Sequence, residues 1–431
     1  MRFKNFKFDK FTYFLPGLKR WLLVLTLGII FIILGIALLL ELRPLTFVSS
    51  LIWNFVRGIA TLIPAQISGP IILILGLIFV LFSIWSSIHK TLSANQNSGS
   101  NNLEHKSILK SLERAKKRGV GPKIVAIGGG TGLSSLLRGL KVYSENITSI
   151  VTVGDDGGSS GRLREELKVV PPGDLRNCIV ALSDEEAVLT SLFQYRFQLG
   201  SLKGHNLGNL FLAALFDICE NNISKATMLA SRILRSRGKV LPSSSEAINL
   251  CAKMEDGTEI CGESQIPKAK GKIAKIYSKK KIKVLQETFE AVKEAELIIL
   301  GPGSLYTSII PNLLSEDLVN AIYNSKAKVL YICNLVQDKE TENYKLHDFI
   351  KSINNHTQKN IINTVLINEA KSFTASNLKG IPIEIDINNS LLKDIDIIIR
   401  KNLHSNSGKH NSLRLSRCII QWFLQNKQGL P

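Results

Sequence analysis

Short apolar runs separated by helical stretches constrain the fold of this chain more than any other feature. Beyond residue 120, five such runs end in Gly or Asn: Lys123–Gly128, Ile147–Gly154, Leu297–Gly301, Lys328–Asn334 and Asn363–Asn368. Strands without polar alternation are typical of parallel sheets that helices cover on both faces. The pattern predicts an α/β fold with a doubly wound parallel sheet, interrupted by a less regular, β-rich insertion around Val240–Val284.

The first ninety residues have a different composition. Trp21–Leu40 and Ile67–Ile88 are uncharged apolar runs. At about 1.5 Å per residue, each is long enough to cross a hydrocarbon core of about 30 Å. Six basic residues precede the first run, whereas only Arg43 and Arg57 lie between the two, so the N-terminus is expected in the cytoplasm. The segment Leu45–Ile63 is apolar enough for an interfacial or re-entrant helix, and its role stays open.

These patterns divide the chain into three parts. We predict a membrane anchor of two transmembrane helices in residues 1–90, and a linker with a short basic helix in residues 91–119. A globular domain in residues 120–431 follows. Two crossings return the chain to its starting side. We therefore expect the globular domain at the cytoplasmic face of the plasma membrane.

The net charge of +19 suggests a nucleic-acid partner at first, but its distribution argues against one. Residues 1–122 hold fifteen Lys/Arg and four Asp/Glu, and Lys268–Lys283 holds eight lysines and no acid. The lysine-rich stretch fits a solvated hairpin, or alternatively contact with anionic lipid. Aromatic residues that would stack on bases are not interleaved with it. The six cysteines form no CxxC pair, which argues against a metal site and a disulfide framework and fits a reducing compartment.

A glycine cluster, Gly128–Gly132, follows the first predicted strand. In open parallel sheets, ligands bind at the carboxyl ends of strands, and the N-terminus of the following helix favours anions. The cluster matches neither common nucleotide-loop pattern. Leu133 stands where the Rossmann pattern needs glycine, and no lysine follows as in a P-loop. A phosphate-binding loop and a simple tight turn both fit this segment alone.

The second predicted strand ends in the loop Val153–Arg164, which carries Asp155 and Asp156 followed by glycines and serines. Adjacent carboxylates at a strand end can hold a divalent cation whose shell is completed by phosphates. They can also bind a ribose hydroxyl, or form a solvated turn. The position beside another glycine loop favours a functional role.

Three further polar loops are expected at the same edge of the sheet. Pro171–Asn177 offers Asp174 as a helix cap and Arg176 as an anion partner. Gly204–Asn209 and Gly301–Ser308 both lead into helical stretches. These loops and the end of the fourth strand supply His205, Asn206, Asn209, Ser304, Thr307 and Asn334.

Six ordered motifs carry a family resemblance: GGGTG, TVGDDGGSSGRLR, PPGDLRN, GHNLGN, GPGSLYTSIIPN and NLVQDKETENY. Over residues 120–425 the chain resembles the gluconeogenesis-factor family, which is similar to the phospholactate transferase of deazaflavin-cofactor synthesis. The resemblance implies a Rossmann-like core that binds a nucleotide-linked ligand. For the gluconeogenesis-factor branch it also implies UDP-sugar binding and roles in cell shape, wall synthesis and growth on gluconeogenic carbon.

The loops and the resemblance together define the candidate site. Asp155 and Asp156 are the candidate metal ligands, for Mg²⁺, and the candidate catalytic residues. The candidate ligand-binding residues are Gly129, Gly130, Thr131, Gly132, Ser159, Ser160, Arg176, Asn206, Asn209, Gly301, Gly303, Ser304 and Asn334.

Three functions compete at this stage. The first is a membrane-tethered regulator that binds a nucleotide sugar, and it is the one we favour. The second is a Mg²⁺-dependent transferase that moves a phospholactyl-type group from a nucleotide donor. The third, an NAD-dependent oxidoreductase, lacks the Rossmann glycine at position 133. We also expect a homo-oligomer, specifically a dimer.

Overall fold

The structure, a computed structural model, describes residues 28–30, 70–71, 73–80, 82, 121–369, 380–405 and 408–427. The chain separates into two units, Met1–Ser107 and Ile108–Pro431. Leu45–Ile63 and the predicted linker helix lie outside the described residues. So do most of the predicted transmembrane run Trp21–Leu40 and half of the run Ile67–Ile88. Within the part that is described, no helix is both long enough and apolar enough to span a bilayer.

Ten strands form two sheets. In chain order they are β1 (Ile124–Gly128), β2 (Ile147–Val151), β3 (Lys239–Pro242), β4 (Leu250–Met254), β5 (Glu259–Cys261), β6 (Ile273–Ser278), β7 (Leu297–Leu300), β8 (Lys328–Ile332), β9 (Thr364–Asn368) and β10 (Asp396–Arg400). Seven strands build one parallel sheet in the order β10-β9-β8-β7-β1-β2-β3. This confirms the predicted α/β fold with its large parallel sheet.

Ten helices are present in unit Ile108–Pro431, counting described residues only. They are α1 (Gly130–Leu140), α2 (Gly158–Leu167), α3 (Gly173–Leu182), α4 (Glu186–Phe193), α5 (Leu207–Ile218), α6 (Ile223–Ile233), α7 (Gln286–Glu294), α8 (Glu316–Tyr323), α9 (Leu346–Thr357) and α10 (Ser412–Lys427). In α1, the leucines at positions 133, 136, 137 and 140 are fully buried, which is the spacing of one helix face. That face packs α1 into the core between α3 and α10.

The β-rich insertion is the antiparallel sheet β5-β4-β6. Its predicted range began at Val240, but β3 belongs to the parallel sheet, where it pairs with β2. The sequence argued against a disulfide framework, and the structure contains a single disulfide. Cys251 and Cys261 face each other across β4 and β5 and form a disulfide, whereas Cys178, Cys219, Cys333 and Cys418 are free and buried.

Candidate functional site

The candidate site lies where the strand order of the parallel sheet reverses direction. β1 and β7 are neighbours, but the chain runs outward from β1 through β2 and β3 on one side, and from β7 through β8 on the other. Loops at such a switch point diverge and leave a crevice that binds ligands. The two loops here are Gly129–Gly132 after β1 and Gly301–Ser304 after β7.

These two glycine loops touch each other. A methyl group built on Gly132 would lie 2.3 Å from the Pro302 carbonyl oxygen and 3.1 Å from Gly303 Cα. Because both neighbours are backbone atoms, the contact needs a residue without a side chain at position 132. Gly301 turns the chain with φ of +82°, a conformation that glycine adopts easily.

A cleft of about 540 Å³ opens between the loops. Residues from the β1, β7 and β8 loops, the insertion and the segment before α10 surround it. Its lining residues are Gly129, Gly130, Thr131, Gly132, Ser135, Glu263, Pro302, Gly303, Ser304, Thr307, Ser308, Asn334, Leu335, Val336, Asp338, Gly408, Lys409 and His410. Six of the predicted ligand-binding residues from the two glycine loops, together with Asn334, therefore share one cleft.

Asp174 joins the β1 loop to α3. The Gly130 N–H at the start of α1 donates to Asp174 Oδ2 at 2.6 Å. The predicted role of Asp174 as the cap of its own helix was wrong, because Pro172 holds the N-cap position and Asp174 lies in the first turn. Burial raises the pKa of Asp174 to about 6, against the opposing effect of the Gly130 hydrogen bond. Asp174 is therefore a part-buried carboxyl group that is hydrogen-bonded to the start of α1.

Four carboxylate groups near the start of α3 pack against glycines. Methyl groups built on Gly129, Gly173, Gly154 and Gly262 would lie 2.9, 3.0, 2.7 and 2.5 Å from oxygens of Asp174, Asp155, Glu263 and Asp156, respectively. Each carboxylate oxygen thus occupies the space that a side chain at the glycine would need. The loop Val153–Arg164, here called the Asp loop, α3 and the insertion each contribute acids to this region. Asp174, Asp155 and Asp156 all act electrostatically on Glu263.

Asp155 and Asp156 are adjacent in the sequence but take different partners. Asp155 Oδ1 accepts from the Gly157 N–H at 2.9 Å. Asp156 Oδ1 accepts from the Ser264 N–H at 2.8 Å, so Asp156 is bonded to the insertion. The carboxylate that neighbours Asp174 is that of Asp155, whose charge helps to raise the pKa of Asp174.

The acids Asp155, Asp156, Asp174, Glu263 and Glu340 form an acidic cluster whose negative charge is poorly neutralised. Burial raises the pKa of Glu263 well above its usual value, and the charges of Asp174, Asp155 and Asp156 raise it further. Burial likewise raises the pKa of Glu340 to about 7, although Thr307 Oγ1 donates to Glu340 Oε1 at 2.8 Å. Buried carboxylates without cations favour either protonation or binding of a positive ion.

The donor set fits a hydrated Mg²⁺ better than a fully coordinated ion. Among described residues, the only trio of acidic, His or Cys side chains with ligand atoms within 4.8 Å of one another is Cys251, Glu259 and Cys261, and this trio contains the disulfide. The acids around Asp174 are therefore too widely spread to act as three direct ligands. Mg²⁺ usually keeps several waters and binds only one or two carboxylates besides phosphates.

Six predicted ligand-binding residues do not line the cleft. Gly301 turns the chain after β7, and the other five form a separate hydrogen-bonded network at the starts of α2 and α5. Asn209 Nδ2 donates to Ser159 Oγ at 3.1 Å and to Ser160 Oγ at 3.3 Å. Arg176 Nη1 donates to Asn209 Oδ1 at 2.6 Å. Asn206 Nδ2 donates to Gln194 O at 3.4 Å, so its side chain does not cap α5. These five residues do not line the cleft, although Ser160 and Asp155 both lie beside Gly173.

Sequence reasoning missed Glu263. This residue lines the cleft, but it comes from the insertion rather than from the end of a parallel strand. The available signal for Glu263 was an acid in the segment "CGESQIP", which no basic residue follows until Lys268. The segment Gly408–His410 was also missed, because it lies in an irregular stretch before α10.

Comparison with known families agrees with this geometry. The sequence model of the family described as 2-phospho-L-lactate transferase CofD matches residues 124–402, which include all strands of the parallel sheet. This chain belongs to the CofD family. Within the CofD family it groups with proteins named gluconeogenesis factor, as the six motifs predicted.

Two named relatives show the extent of the match. A gluconeogenesis-factor homologue of Nostoc sp. is 42% identical over 428 residues, covering 96% of this chain and 92% of the relative. The gluconeogenesis factor of Bacillus subtilis is 50% identical over 250 residues, covering 57% of this chain and 78% of the relative. The Nostoc relative thus shares nearly the whole chain, N-terminal segment included.

A crystal structure of a UPF0052-family protein from Bacillus halodurans has the same fold. Its TM-score is 0.66 at 42% identity, and the match covers 70% of this chain and 99% of that protein.

Proposed function

We propose that this chain is a membrane-tethered, nucleotide-sugar-binding regulator of cell-wall growth and carbon metabolism at the cytoplasmic face of the plasma membrane. The contact between the β1 and β7 glycine loops at the switch point carries this proposal. Backbone N–H groups at helix starts bind phosphate groups. The cleft of about 540 Å³ falls in the size range of small-molecule sites. The names of the relatives support a role in gluconeogenic metabolism.

In this proposal the glycine loops hold the diphosphate, and Asn334 contacts the rest of the nucleotide sugar. Mg²⁺, when bound, would neutralise the diphosphate. Asp155 and Asp174 would hold the ion partly through its waters. UDP-sugars are the ligand class we favour, because the gluconeogenesis-factor resemblance implies them.

One observation favours a second function. A buried acidic cluster beside the glycine loops is more than a simple nucleotide binder requires, but a Mg²⁺-dependent transferase needs it to stabilise charge during group transfer. The alternative is a phospholactyl-type transferase that uses a nucleotide donor, in line with the description of the matched family. The two functions share the cleft and differ only in turnover.

Replacing Asp156 with Asn separates the two functions. Because Asn keeps the oxygen that accepts from the Ser264 N–H, we expect the insertion to stay in place and UDP-sugar affinity to stay unchanged. Calorimetric titration of wild type and variant with UDP-sugars, guanine nucleotides and NAD measures affinity, and mass spectrometry detects products. Under the regulator proposal neither protein forms product. Product formation by the wild type would establish the transferase instead, and its loss in the variant would assign Asp156 a part in the reaction.

Deleting residues 1–90 tests the membrane tether. Since the Bacillus halodurans relative matches only 70% of this chain, the remaining domain is expected to fold and to bind the same ligand with the same affinity. Full-length protein should sediment with membranes, whereas the shortened protein should not. A shortened protein that fails to fold would show that the N-terminal segment belongs to the core.

A further inference from the structure

Glu263 brings a buried hydrogen-bond acceptor to the cleft. In the described part of the chain, Glu263 Oε2 is buried and has no hydrogen-bond partner. The same oxygen lies against Gly154, in the space that a side chain there would fill. A buried carboxylate oxygen without a donor is costly. It therefore marks a place where a bound group supplies the missing donor.

The segment around Glu263 is held in place on both sides. Cys261 is bonded to Cys251, and the Gly262 N–H donates to Leu250 O at 2.8 Å. On the other side, the Ser264 N–H donates to Asp156 Oδ1 at 2.8 Å. The insertion thus presents Glu263 to the Asp loop in a fixed position. Such support is typical of groups that orient a ligand.

The main electrostatic influences on Glu263 are repulsive. The charged groups that act on it most strongly are Asp174, Asp155, Asp156 and Glu340, all acids. The charge of Arg176 acts on Asp174, but the Arg176 guanidinium donates to Asn209 and to Asn177. A group that supplies both positive charge and hydrogen-bond donors suits this environment, and a hydrated divalent cation supplies both.

We propose that Glu263 is an outer-shell ligand of a divalent cation, accepting hydrogen bonds from the waters of an ion held at Asp155 and Asp174. This inference rests on the proposed cation site and assigns the insertion a role in it. Direct coordination by all three carboxylates is not needed, which agrees with the spread of their oxygens. The waters of the ion would provide the donor that Glu263 Oε2 lacks.

Mn²⁺ binding to the full-length chain tests the inference without any nucleotide. Loss of the free Mn²⁺ signal in electron paramagnetic resonance measures the affinity of wild type, Glu263→Gln and Glu263→Asp. Losing an outer-shell carboxylate is expected to weaken Mn²⁺ binding about 10- to 100-fold in Glu263→Gln. Glu263→Asp keeps the charge and should give an intermediate value. Glu165→Gln removes an exposed acid of α2 and should bind like wild type.

The outcomes separate the inference from the proposed function. Equal Mn²⁺ affinity in wild type and Glu263→Gln would overturn the inference, including the case where only UDP-sugar affinity falls. Failure of wild type to bind Mn²⁺, with or without UDP-sugar, would remove the cation site itself. Circular dichroism and melting temperature check the fold of each variant. If Glu263→Gln does not fold, equal affinity of Glu263→Asp and wild type would count against the inference.

Discussion

Gly132→Ala is expected to weaken nucleotide-sugar binding about 5- to 150-fold. The added methyl group would lie 2.3 Å from the Pro302 carbonyl oxygen, so the β1 and β7 loops must part. Forcing such backbone shifts costs about 1–3 kcal/mol. A ligand that binds both loops at once has to bring them back into contact, so its binding free energy becomes less favourable by this amount. Calorimetry with UDP-sugars measures the loss, and thermal unfolding gives the accompanying decrease in stability.

Gly128→Ala is the matched control. This glycine ends β1, and a methyl group there would meet no atom closer than 3.6 Å. The control should therefore bind and unfold nearly like wild type. If Gly132→Ala behaves the same as Gly128→Ala, the two loops do not need their contact, and the cleft between them is not the ligand site.

The parallel sheet was predictable because five of its strands carry no alternation of polar residues. β1 and β7 are wholly buried, and such strands need helices on both faces. The two strands that were missed lack this signal. β3 is only four residues long and ends in Pro242, and β10 is partly exposed at the sheet edge.

Only those site residues that lie at the ends of strands in the parallel sheet were predictable from the sequence. Strand ends of a parallel sheet meet at one edge, so Gly132, Ser304 and Asn334 were placed together correctly. Glu263 belongs to an insertion whose position relative to the sheet has no periodic signature. The partner of Asp174 is Gly130, 44 residues earlier, whereas the local pattern indicated only a helix start. The positions of Glu263 and Asp174 in the site both depend on contacts between segments that are far apart in the sequence.

Asp174→Asn is expected to stabilise the cation-free protein at pH 8 while weakening cation binding. The pKa of Asp174 is raised from 3.8 in the unfolded chain to about 6 in the folded protein. The folded state therefore holds the proton more tightly, and stability falls as pH rises from about 4 to 6. Above that window, keeping the buried charge costs about 3 kcal/mol. Asn avoids this cost and still accepts a hydrogen bond from the Gly130 N–H.

Urea unfolding in EDTA at pH 4 and pH 8 measures this effect. The variant should exceed wild type in free energy of unfolding at pH 8. The difference should shrink toward pH 4, where Asp174 is protonated in the folded state and the pH is close to its unfolded-state pKa of 3.8. Asp217→Asn, which replaces an exposed residue of α5, should show no such dependence of stability on pH. Mn²⁺ should bind more weakly to Asp174→Asn, since a ligand carboxylate is lost. A variant that is less stable than wild type by the same amount at both pH values would mean that the Asp174 charge does not oppose folding. In that case the acidic cluster would not be under electrostatic strain, and the electrostatic argument for a cation there would fail.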